Sequence, residues 1–157
     1  MVRYLSLLLF LGLAWGQDCT ADDGTDGVEL WGECYSIENT TVLGLNGDDL
    51  TGSIPPEIRN LTNLTCLDLA NCQLTGSIPS EICNLTNMTH LGLFANQLTG
   101  EIPPEIGNMT NLTGLDLKMN QLTGEIPETI CDLILDWEWS AIHNNQLCPP
   151  YPSCVED

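Results

Sequence analysis

Cys66, Asp68 and His90 are the residues whose types come nearest to working chemistry: a thiol nucleophile, a carboxylate and an imidazole base. Covalent catalysis with that set needs a lowered thiol pKa, an oxyanion site and a means of excluding water. Nothing around these residues supplies those parts, and the chain is read as no enzyme. Asp22, Asp26, Gly27 and Glu33 have the spacing of a calcium loop, but Gly24 occupies a ligand position and no helical pattern flanks the run. An acidic turn is expected there, with no metal and no cofactor. Asn39, Asn60, Asn63, Asn84, Asn87, Asn108 and Asn111 each open an Asn-x-Thr sequon, an acceptor for N-linked sugar in a host with the machinery. Six of the seven recur at a fixed spacing, so an internal repeat accounts for their presence.

That repeat is the element that must position everything else. Thr41, Thr65, Thr89 and Thr113 begin four segments, 24 residues apart, that agree almost column by column. Leu43/Leu45, Leu67/Leu69, Leu91/Leu93 and Leu115/Leu117 alternate as a short strand with one face buried. Leu50, Leu74, Leu98 and Leu122 each open a Leu-Thr-Gly-x-Ile-Pro phrase, in which glycine permits a bend and proline rules out a helix interior. Ile58, Ile82, Ile106 and Ile130, then Leu61, Leu85, Met109 and Leu133, point inward from the far side. A polar position between strand and bend, Asp48, Cys72, Asn96, Asn120 and Asn145, must also face inward and satisfy turn backbone. No coil buries its apolar face alone, so coils stack into a continuous core. Trp137, Ile142, Asn145 and Leu147 restore the spacing of a divergent fifth coil after a one-residue insertion.

Leu64-x-x-Leu67-x-Leu69-x-x-Cys72-x-Leu74-Thr75-Gly76-x-Ile78-Pro79-x-x-Ile82 closely resembles the plant-type leucine-rich repeat of receptor kinase ectodomains and polygalacturonase-inhibiting proteins. The resemblance implies an α/β-type solenoid, right-handed, with a concave parallel β-sheet and an irregular or 3-10 convex side. It covers residues 40–133 closely and implies a scaffold rather than a ligand. The organisation expected is a signal peptide over 1–16, an N-terminal cap over 17–39, four repeats over 40–136, and a fifth repeat with C-terminal cap over 137–157. The cap is expected to cover the first strand edge, with Trp31 over the open end of the core.

Three columns escape the repeat while all around them recurs: Val42, Cys66, His90, Gly114, Trp139; Gly44, Asp68, Gly92, Asp116, Ala141; and Asn46, Ala70, Phe94, Lys118, His143. They are not needed to make the coil, and they face outward from the strands. His90, Phe94, Lys118, Trp139 and His143, framed by Asp68 and Asp116, are the candidate ligand-binding residues, because exposed aromatics make strong anchors. The expected partner is an extracellular protein, peptide or glycan. A structural or adhesive surface protein, whose acidic shell binds cations diffusely, is the alternative. Threonine rows raise a third reading, ice binding by regularly spaced hydroxyls, supported only by analogy of fold.

Arg3, the apolar run from Tyr4 to Ala14, and the small residues Ala14 and Gly16 read as an export signal, placing the mature chain outside the cell, at its surface or in a periplasm. No later stretch is long and apolar enough to be a transmembrane segment. Loss of Arg3 takes the formal charge from −19 to −20. Such a surface repels phosphate backbones, so no nucleic acid is expected as partner. Eight cysteines in an exported chain point to disulfides. Cys83 and Cys131 lie 48 residues apart, two coils or roughly 9.6 Å, beyond the approximately 7 Å reach of a bridge. The cap cysteines are the better candidates: Cys19 with Cys34, and Cys148 or Cys154 with each other or with Cys131.

Overall fold

Each 24-residue segment closes into one coil, and the coils stack. The computed structural model describes residues 18–47 and 49–155; the expected export signal and Asp48 lie outside them. A cap comes first, an antiparallel sheet of β1 (Asp18–Thr20), β2 (Asp26–Leu30) and β3 (Glu33–Ser36) in the order β1-β2-β3. Cys19 and Cys34 are bridged across it, as expected. Gly27 lies beneath the bridge: a Cβ there would come within 2.6 Å of Cys34 Sγ and 3.1 Å of Cys19 Sγ. The acidic run is thus part of a hairpin, and no group of metal-ligating side chains occurs among the described residues.

β4 (Val42–Gly44), β6 (Cys66–Asp68), β8 (His90–Gly92) and β10 (Gly114–Asp116) form a parallel sheet in step with the repeat, pairing Val42, Cys66, His90 and Gly114 side by side. A bridge from Asp116 to Ala141 extends this register to the fifth coil. The cap does not cover the free edge of this sheet, since β4 pairs with β6 alone among the described strands. Instead it closes the end of the core, with Val28 and Leu30 buried and Trp31 packed half-buried beside them.

The Leu-Thr-Gly phrases build a second parallel sheet that the sequence reading did not foresee: β5 (Thr51–Gly52), β7 (Gln73–Ser77), β9 (Gln97–Gly100), β11 (Gln121–Glu125) and β12 (Gln146–Cys148). Leu74, Leu98 and Leu122 are fully buried while glutamine and threonine on either side face out, the period-two signature of a strand. Gly76, Gly100 and Gly124, at or one residue before the strand ends, have φ near +77°, a left-handed conformation that glycine adopts freely. Pairing here is staggered, with Thr75 opposite Gln97 and Thr99 opposite Gln121.

Pro55, Pro79, Pro103 and Pro127 then start four 3-10 turns on the convex side, Pro56–Asn60, Ser80–Asn84, Pro104–Asn108 and Glu128–Asp132. Each proline carbonyl accepts from the isoleucine three residues on, at 3.0–3.1 Å, and that isoleucine is buried. The inward polar column works as inferred. Asn96, Asn120 and Asn145 donate to Leu69 O, Leu93 O and Leu117 O at 2.8, 2.9 and 3.0 Å, and accept from Leu74 N, Leu98 N and Leu122 N at 3.0 Å. Cys72 fills the same slot as a buried thiol donating to Leu45 O at 3.3 Å.

The fifth coil departs from expectation at one point. Ile142 is buried and Asn145 takes its place in the ladder, but Trp137 is 44% exposed, with no further coil stacked on it among the described residues. Cys131 is bridged to Cys154, tying the last 3-10 turn to the terminal cap. Cys66, Cys83 and Cys148 are outside both bridges.

Candidate functional site

The outer face of the four-stranded sheet is where the non-repeating columns meet. Strand pairing puts Cys66 beside His90 and Asp68 beside Gly92, while side chains two apart on a strand share that face. Gly114 leaves a gap that the His90 ring fills, since a Cβ at Gly114 would lie 2.6 Å from His90 Cδ2. Glycine at this position is therefore buried, although its column faces outward. On the far side of the gap stands Trp139, 72% exposed.

Gly92 plays the same part in the neighbouring column, with a notional Cβ 3.0 Å from Asp68 Oδ1. The Asp68 carboxylate is fixed by two donors, Ala70 N at 3.0 Å and Asn46 Nδ2 at 3.1 Å. Asp116 accepts the equivalent backbone bond, from Lys118 N at 3.2 Å, and is paired in addition with Lys118 Nζ at 3.1 Å, an ammonium that also sits 4.6 Å from the Phe94 ring centroid. The pair supports a cation–π contact and immobilises the half-buried phenyl ring. Asp68, His90, Phe94, Asp116 and Trp139 thus line one groove of about 330 Å³, with the glycines as its low floor.

Two expected residues stand apart from the groove wall. Lys118 supports Phe94 and Asp116 from beside it. His143 turns instead to a second hollow, about 470 Å³, at the C-terminal end with Trp137, Ile142 and Tyr151. That end surface was not foreseen as a hollow. Its signal in the sequence was the aromatic density of residues 137–151 in a coil whose inward consensus fails.

As a nucleophile Cys66 is poorly served. Burial, and then the neighbouring Asp68 carboxylate, push its thiol above the ordinary cysteine value, the reverse of an activated thiolate. His90 Nδ1 contacts Thr89 Oγ1 at 2.9 Å on its own strand.

Three stretches, residues 63–85, 87–109 and 111–133, match the leucine-rich repeat family. The chain is a leucine-rich-repeat protein of the plant type. It is 35% identical to the BIR2 ectodomain of Arabidopsis thaliana, with a TM-score of 0.66 over 69% of this chain and 57% of that one. The HAESA receptor kinase ectodomain of Arabidopsis, solved with an IDA peptide hormone, is 43% identical, with a TM-score of 0.65 over 74% of this chain and 19% of that one. A plant ice-binding protein is 38% identical, with a TM-score of 0.59 over 65% of this chain and 32% of that one. This leucine-rich-repeat chain therefore spans less than two thirds of the length of these relatives. No curated protein matches it. The four-stranded sheet is the concave sheet of such a solenoid, and no helix among the described residues is long and apolar enough to cross a membrane.

Proposed function

We propose that this leucine-rich-repeat chain is an extracellular binding module whose concave groove takes a protein, peptide or glycan ligand. The observation that carries the reading is convergence. Among the residues free to vary in an otherwise repeating chain, Phe94 and Trp139 are read as anchors, with Asp68 and Asp116 lining the same groove. A ligand with an extended form and basic or hydrogen-donating groups fits that face. The two fixed carboxylates would steer its approach more than they add to affinity. Solved relatives bound to peptide hormones use the same scaffold. Binding rather than catalysis is supported by the raised Cys66 thiol and by an open groove that offers no shielded reaction centre.

The likeness to an ice-binding protein carries less. Thr75, Thr99 and Thr123 are exposed on the second sheet, but the stagger sets each threonine against a glutamine of the next coil, which breaks the hydroxyl row.

The test is to screen the mature domain against arrays of extracellular peptides and glycans, then to titrate the strongest binder against the Phe94→Ala, Trp139→Ala double variant. A loss of at least about 1 to 2 kcal/mol, with a near-unchanged thermal melt, is expected of paired aromatic anchors. Undiminished affinity would move the site off the concave face, to the C-terminal hollow or the convex side.

A further inference from the structure

The seven sequons share a sequence pattern but not a structure. In one row, the asparagine is part of the framework. Asn63 Nδ2 donates to Glu38 O at 2.9 Å, Asn87 Nδ2 to Thr62 O at 2.9 Å and Asn111 Nδ2 to Thr86 O at 2.8 Å, each binding the preceding coil. The threonines of the same sequons do likewise: the hydroxyls of Thr65, Thr89 and Thr113 donate to Thr41 O, Thr65 O and Thr89 O at 2.9, 2.9 and 3.2 Å. Both functional ends of these sequons are committed to stacking the coils. Asn39 is also engaged, donating to Asp23 Oδ2 at 2.9 Å.

The other row is built differently. Asn60, Asn84 and Asn108 close the first three convex 3-10 turns, and their carboxamides make no hydrogen bond among the described residues. Exposure does not separate the rows, since Asn63, Asn84, Asn87, Asn108 and Asn111 are all exposed and Asn60 is half-exposed; the hydrogen bonding does. The fold uses the backbone at these positions, as where Asn60 O and Asn84 O accept from Thr62 N and Thr86 N at 2.9 Å. It asks nothing of the side chain.

We propose that Asn60, Asn84 and Asn108 form the sugar-accepting row of the folded protein, whereas Asn63, Asn87 and Asn111 are an intercoil clamp that carries no glycan. In N-glycosylation the carboxamide nitrogen forms a bond to the anomeric carbon of a lipid-pyrophosphate-linked oligosaccharide. The bond from that carbon to the pyrophosphate oxygen breaks, the lipid pyrophosphate leaves, and one amide proton is lost to a base. At the free row the new bond displaces no existing contact. At the clamp row the same nitrogen lies against a carbonyl of the coil below, so an attached sugar must be accommodated where the coils already touch. The modified nitrogen keeps one N–H, so a chain modified there retains the clamp bond only if that hydrogen faces the carbonyl and the sugar clears the adjoining coil, and otherwise gives the bond up to fold. The free row sits on the convex 3-10 turns, so its glycans leave the concave groove open.

The test is to secrete the mature chain from a eukaryotic host behind a host leader, and to map occupancy by glycopeptide mass spectrometry after enzymatic release in heavy-oxygen water. Sugar is expected on Asn60, Asn84 and Asn108 and absent from Asn63, Asn87 and Asn111. Occupancy concentrated on the second set would overturn the assignment, as would equal occupancy of the two. Asn84→Gln and Asn87→Gln, made in a host without the pathway, give a readout that does not depend on glycosylation. Asn84→Gln should leave the melting temperature unchanged and Asn87→Gln should lower it, whereas equal melts would refute the division of roles.

Discussion

Asp23 shows how a single exposed carboxylate orders the cap. It accepts from the Thr25 hydroxyl, the Asn39 carboxamide and the Thr25 amide, and these bonds, in that order, lower its pKa from 3.8 to about 2. Because the folded value lies below the unfolded one, the ionised form favours the folded cap. That contribution is fully present above pH 3.8 and fades as the pH falls through about 2. An NMR titration of the Asp23 carboxyl should therefore show a midpoint near 2, and Asp23→Asn should flatten the acid limb of the stability curve between those values. A midpoint near the ordinary aspartate value would mean that the Thr25 and Asn39 contacts do not hold in solution. Cys83 makes the contrasting case: burial, reinforced by Glu105, raises its thiol to about 12, so it is inert packing.

At the scale of the coil, the decisive element is the asparagine ladder between strand and bend. Asn96 closes three backbone groups of two coils, Leu69 O, Leu93 O and Leu74 N, all within the core. Asn96→Ala would leave them unpaired, and since each buried polar group left unmade costs about 1 to 3 kcal/mol, a loss of about 3 kcal/mol or more is expected in urea unfolding. Gln97→Ala, one residue on and exposed, should stay within about 0.5 kcal/mol and serves as the control. Equal effects would remove the ladder from its supporting role. This column was legible from the sequence because a polar residue recurring inside an apolar period has to bond the backbone. The leucine columns were legible for the same reason, periodicity. The second sheet was not, because its strands are two to five residues long and all but the last contain a glycine with positive φ, which reads as a turn. Nor did spacing reveal that Gly114 would lie under His90, or that Lys118 would be drawn to Asp116 and Phe94. Those are contacts between columns, and a repeat alignment orders residues only within a column. Trp137 was misplaced because a repeat pattern cannot show where stacking stops.

Across the whole molecule, the solenoid has two ends at which a coil face would otherwise meet water, and each is closed by a bridge. Cys19–Cys34 spans 15 residues in the first cap, and Cys131–Cys154 spans 23 residues at the other end. Constraining loops of that length restricts the unfolded chain by about 3 kcal/mol each. A leucine-rich-repeat stack holds together through nearest-neighbour contacts, so loss of an end should propagate inward only through the coil beside it. The caps are separated by four coils, roughly 19 Å at the spacing of paired strands, and distant sites add. Cys19→Ala with Cys34→Ala, and separately Cys131→Ala with Cys154→Ala, should each lower the unfolding free energy by about 2 to 4 kcal/mol. The four-fold variant should lose the sum, about 4 to 8 kcal/mol, enough to bring a domain at the low end of the ordinary range of about 5 to 15 kcal/mol near its unfolding midpoint at room temperature. Urea melts of the three variants against the parent decide it. An unchanged midpoint in either pair would show that the cap closes its end by packing alone. A four-fold variant no worse than one pair would mean that the two ends are coupled through the core rather than independent.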